Sequence, residues 1–104
     1  MKAEIKSIRG HSSLITSIVF SNDKEFMISA GRDGCMGIYS INEGFKVIKM
    51  LRRDTLGLSD EEEIYDLVYY HQTNGSPFLI IGGSSGRLNV IDINKMRVVH
   101  MYSG

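Results

Sequence analysis

The chain has 104 residues, 12 Lys and Arg against 12 Asp and Glu, three His, and a formal net charge of zero. That balance excludes a global electrostatic pull toward nucleic acid or an anionic membrane. A lone cysteine, Cys35, excludes an internal disulfide and fits a reducing compartment, and no apolar run approaches the ~20 residues of a spanning helix.

In chain order, residues 3–8 (AEIKSI) alternate in period two and end at Gly10-His11, which predicts a strand rather than a signal peptide or anchor. Ile15, Ile18 and Phe20 then fall at spacings of three and two, the pattern of a strand containing a bulge. Residues 21–24 (SNDK) predict a turn, because each short polar side chain can bond its own backbone. Residues 26–30 predict a buried strand, 31–34 (GRDG) a tight turn, and 35–39 a third strand. After a turn at 42–44, residues 45–51 predict a fourth.

The pattern then repeats. Residues 64–70 are apolar with Asp66 interrupting, 72–77 hold the turn pair Asn74-Gly75, and 78–81 are a continuous apolar strand. Residues 82–86 turn, 88–91 predict a third strand before Asp92, and 98–102 a fourth. Between the units, residues 52–62 (RRDTLGLSDEE) read as a polar connection that holds the surplus length of the repeat.

Residues 10–40, with Gly10-His11, three short strands and the Gly-Arg-Asp-Gly turn, resemble a WD (β-transducin) repeat, the four-stranded blade of a β-propeller. The resemblance implies an all-β fold of about two four-stranded antiparallel blades, expected as a fragment of a larger propeller because such folds close with ~4–8 blades. The implied division is 1–9 as the outer strand of a preceding blade, 10–51 as blade one, 52–62 as a joint, and 63–104 as a degenerate blade two. It also implies a structural tetrad of His11, Ser29, Asp33 and Tyr39, with Tyr39 in place of the family's Trp and Ser40 in place of the Asp that follows. In the second unit Gly-His is missing, Ser85 takes the turn Asp position and Ile91 the Trp position. That blade is expected to lack a tetrad and to rely on apolar packing.

Other chemistries are weaker fits. Ser29, His11 and Asp33 match a hydrolase triad in residue type, but the repeat spacing accounts for all three. Residues 82–87 (GGSSGR) lack the Lys-Ser/Thr and following helix of a phosphate-binding loop. Cys35, His11, His71 and His100 show no zinc-ligand spacing, so no metal and no cofactor is expected. Lys49, Arg52 and Arg53 are too small a cluster for nucleic-acid readout. Ser59-Asp60-Glu61-Glu62-Glu63 reads as a one-turn helix cap, a phosphoacceptor for an acidic-directed kinase, or a solvated loop.

Over most of its length the chain also resembles the transducin-beta-like WD proteins of the small-subunit processome, through its Gly-Arg-Asp turn and a second unit that opens on Glu62-Glu63-Ile64. That resemblance implies a non-catalytic scaffold in a nucleolar complex that processes pre-ribosomal RNA. Its partners would be other proteins of a large assembly, with RNA touched only indirectly and no membrane. The alternative is a substrate receptor or coat-type adaptor, cytoplasmic rather than nuclear. The isolated chain is expected to self-associate or to be completed by further blades. Arg32, Ser84, Ser59, Asp60, Glu61, Glu62 and Glu63 are expected to share one rim that meets a protein partner.

Overall fold

The computed structural model describes residues 10–71, 75 and 77–103. The expected strand over 1–9 and most of the 72–77 turn lie outside the described residues. Eight strands follow in order: β1 (Ile15–Phe20), β2 (Phe26–Gly31), β3 (Met36–Ser40), β4 (Lys46–Leu51), β5 (Ile64–Tyr70), β6 (Phe78–Gly83), β7 (Leu88–Asp92) and β8 (Arg97–Tyr102). They form two antiparallel four-stranded sheets, each paired in sequence order. Each sheet has the four-stranded, sequence-ordered arrangement expected of one blade.

The two blades carry matched irregularities. The first strands are bulged between Ile15 and Ser17 and between Ile64 and Asp66, the fourth strands beside Val47 and Val98. Bulges sharpen the local twist and re-aim a side chain. In β1 the bulge turns Thr16 so that its Oγ1 donates to the Ile64 carbonyl of the second blade at 2.6 Å and to the Ala30 carbonyl at 3.2 Å. A backbone irregularity thus stitches one blade to the next.

The core lies between the blades. Ile28, Ala30, Met36, Ile38 and Leu51 of the first sheet cluster with Ile64, Leu67, Leu79, Ile81 and Ile91 of the second, and β1 and β2 lie against β5. The far face of blade two carries Val68, Ile80, Val90 and His100 in one cross-strand row, with Val68 half exposed.

Three expectations need correction. The 52–62 connection is not wholly solvated: it contains a helical turn, α1 (Arg53–Leu56), whose Leu56 is fully buried in the inter-blade core. A buried leucine contributes about 1.5–3 kcal/mol of transfer free energy, so part of the joint belongs to the packing. The surplus length is also not confined there. Ile15 and Ile64 stand 49 residues apart but Phe26 and Phe78 stand 52 apart, so some lies in β5 and the turn after it. Phe45, expected in the fourth strand, sits in the preceding turn with φ 64°, and Met96 takes the equivalent place with φ 55°. Their amides donate to the Ser40 and Asp92 carbonyls at 2.8 Å each, and this left-handed closure delays the strand.

Candidate functional site

In blade one, four side chains form a connected polar network. Asp33, in the 31–34 turn, faces His11, which precedes β1: its Oδ1 and Oδ2 lie 3.2 and 3.1 Å from His11 Nδ1. His11 Nε2 lies 2.6 Å from Ser29 Oγ on β2, and Ser29 Oγ is 3.5 Å from the Tyr39 hydroxyl on β3. An ionised carboxylate only accepts, so the His11 Nδ1 must carry a proton. The amides of Ser12 and Cys35 donate to the same carboxylate at 2.9 and 3.1 Å. Burial pushes the Asp33 carboxyl up, but these two amides and the His11 ring outweigh it, and the net shift is downward. Tyr39 is pushed up, chiefly by burial. The Ser-His-Asp connectivity equals that of a hydrolase triad, yet Ser29 is 0% exposed. No acyl substrate can reach that hydroxyl.

Blade two corrects the sequence expectation. It is not held by apolar packing alone, because Glu62 builds a second network. Glu62, expected on an exposed rim, is only 4% exposed. Its Oε2 accepts from Ser85 Oγ at 2.5 Å, and its Oε1 accepts from Arg87 Nη2 at 3.1 Å and from the Ser59 amide and hydroxyl at 3.0 and 3.1 Å. Burial raises the Glu62 carboxyl, but the Ser85 hydroxyl first, then Ser59 and Arg87, pull it below its ordinary value. Of the cap expected at Ser59, only half forms. Glu62 reaches back to the Ser59 amide, while the Glu62 amide bonds the Ser59 carbonyl rather than its hydroxyl, in a turn and not a helix.

Each network ties the loop before a first strand to the turn between second and third strands. The backbone repeats the tie: the Arg32 amide donates to the Leu14 carbonyl at 2.9 Å and the Ser84 amide to the Glu63 carbonyl at 3.0 Å. A side chain at Gly83 would collide with that Glu63 carbonyl, so only glycine allows the approach. Gly34, with φ +74°, has the Arg53 side chain lying across it, so a Cβ there would be both strained and blocked.

The two turns and the joint meet at one end of the blades. Arg32 Nε, 48% exposed in its side chain, pairs with Glu63 Oε2 at 3.4 Å. The Glu63 amide donates to Ser84 Oγ at 3.0 Å, and the Tyr65 hydroxyl donates to Glu63 Oε1 at 2.9 Å. Arg53 Nε donates to the Glu62 carbonyl at 2.8 Å and its Nη2 to the Arg32 carbonyl at 3.5 Å. Ser59, Asp60 and Glu61 are exposed beside them.

Arg53, expected only in a small basic cluster, and Tyr65 and Arg87 were not expected at this end. Arg87 carried one usable signal, a charge two residues beyond the degenerate turn Ser85. Asn89 was missed too: its Nδ2 donates to the Leu56 and Gly57 carbonyls at 2.8 and 3.4 Å and holds the end of α1. Cys35 is buried, and burial, then the Asp33 charge, push its thiol up, so it is a poor nucleophile. Among the described residues no group of three or more His, Cys, Asp or Glu could hold a metal, and no helix is long and apolar enough to cross a membrane. Residues 82–87 lead into β7, not a helix.

Residues 2–40 match the family model described as WD domain, G-beta repeat. This stretch of the chain is similar to a single WD repeat. WD domains mostly serve as scaffolds for protein interaction. Two solved structures superpose on both four-stranded sheets. The RRP9 WD40 repeats do so with TM-score 0.76 and 18% identity, U3-55K with TM-score 0.74 and 19% identity. Each covers 93% of this chain, and the chain spans 28% of the length of each. At such identity the likeness establishes the fold. No curated protein matches the sequence.

Proposed function

We propose that this chain is a non-catalytic WD-repeat scaffold whose rim binds another protein of the small-subunit processome, in the nucleolus, with RNA touched only through partners. In this reading 10–51 and 63–104 are the two repeat units and 52–62 is their joint. The supporting observation is the convergence of Arg32, Glu63 and Ser84 at one end, anchored from beneath by two buried carboxylate networks. Side chains so held are presented with little ordering cost, which favours binding over flexible display. The processome assignment draws on the sequence resemblance, and the likeness to the RRP9 WD40 repeats and U3-55K is consistent with it.

The test is affinity capture from cell extract with the natural chain, with Arg32→Glu, and with Asp60→Ser plus Glu61→Ser. Glu62 is left intact because its removal would disturb the fold. Small-subunit precursor RNA and its proteins should co-purify with the natural chain and drop severalfold with the variants. Capture of a different assembly would favour the adaptor reading. Unchanged capture by both variants would show the rim to be inert.

A further inference from the structure

The rim occupies only one end of the blades; the opposite end holds a different opening. Each antiparallel strand that ends at the rim begins at the far side, so the turns after β1 and β7 lie together there. Between them and the facing sheets runs a cleft of about 430 Å³. Its walls include Phe26, Ile28 and Ile38 of blade one and Tyr69, Pro77 and Met96 of blade two. Ile48 on the outer strand β4 also contributes, and it and Phe26 stay 48% and 37% exposed. Among the described residues, apolar surface is thus left unfilled between two blades that already pack against each other. No additional blade would be expected to close it, since both of its walls come from adjacent blades.

Among the described residues one charged side chain, Asp23, lines the cleft. Asp23 Oδ1 accepts from Ser21 Oγ at 2.6 Å and from the Glu25 amide at 3.0 Å. Those bonds fix the carboxylate and hold it below its ordinary pKa, the Ser21 hydroxyl contributing most. The His71 charge also favours the carboxylate, weakly and at longer range, but among the described residues no cation forms an ion pair with it within 4 Å. A fixed anion beside an apolar slot complements one kind of occupant. A neutral aliphatic ligand would leave the carboxylate unused, and an acidic one would be repelled.

The geometry points to a second binding surface, distinct from the rim: the inter-blade cleft takes a short peptide segment of a partner protein, seating one aliphatic side chain against Phe26, Ile48 and Met96 and an adjacent Lys or Arg against Asp23. The single side chain gives modest affinity alone, so the cleft acts as an auxiliary contact for a partner held elsewhere.

Photo-cross-linking of the full chain tests this, using the peptide acetyl-Ser-photoleucine-Arg-Ser-amide and its Glu-for-Arg counterpart. Cross-links should map to Phe26, Ile48, Tyr69 and Met96, with severalfold higher yield for the Arg peptide. Asp23→Asn keeps the acceptor for Ser21 and Glu25 and should remove the difference between peptides. Ile48→Ser, at an exposed position, should lower the yield of both and serves as the decisive variant if Asp23→Asn unfolds. Cross-links scattered over the far face of blade two, or yields indifferent to peptide charge and to Ile48→Ser, would overturn the assignment.

Discussion

The two blades solve one mechanical problem with the polarity reversed. Each must pin the turn between its second and third strands to the loop entering its first. In blade one the carboxylate, Asp33, stands on the turn, and the entering loop supplies donors from His11 and the Ser12 amide. In blade two the carboxylate, Glu62, stands on the entering loop, and the turn region supplies donors from Ser85 and Arg87. What persists between the blades is therefore an ionised, buried acceptor satisfied by several donors, not a residue type at a position. A buried charge is tolerated only when so satisfied, and either side of the gap can carry it.

Acid should strike both blades at once. Asp33 and Glu62 are held below their ordinary values in the folded chain. Their contribution is present above the unfolded-state pKa and is lost as pH falls through the folded one. The urea midpoint should therefore drop steeply on acidification below the ordinary carboxylate range. Asp33→Asn and Glu62→Gln should each flatten that slope, and a slope unaltered in either variant would remove that blade's carboxylate from the account.

Among single substitutions at neutral pH, Glu62→Ala should cost most, about 3 kcal/mol, because it removes a buried acceptor of four donors, from Arg87, the Ser59 amide and the Ser59 and Ser85 hydroxyls. Asp33→Ala should follow at about 2 kcal/mol, since the Ser12 and Cys35 amides lose a charged acceptor. If Glu62→Ala proved harmless while Asp33→Ala did not, blade two would be apolar-packed after all and the comparison would fail. Ser85→Ala should cost about 1 kcal/mol as one of four donors to Glu62. Its effect sharpens the contrast, because a degenerate turn serine in a blade without a network would cost nothing in the same melts.

The strands, their order and the bulge in β1 were legible because they rest on local alternation and turn chemistry. The blade-one network was legible too, since His11, Ser29, Asp33 and Tyr39 stand at a spacing the repeat imposes. Glu62 was not. It sits in a run of four acidic residues, and nothing in the run distinguishes the buried one from Asp60, Glu61 and Glu63. Its partners Ser85 and Arg87 lie 23 and 25 residues away, across a whole hairpin.

The sequence by itself determined the two four-stranded units and the turns between them, because period-two patterning and Gly, Asp and Asn turns act over a few residues, while the residues that lock the first were implied by its resemblance to a known repeat. Only the tertiary structure decided that Leu56 leaves the joint for the core, that Arg32 pairs with Glu63, and that the facing sheets leave a cleft beside Asp23. Each of these depends on how one blade is tilted against the other. That tilt is set by side-chain packing and the Thr16 bridge across the interface, which no local pattern encodes.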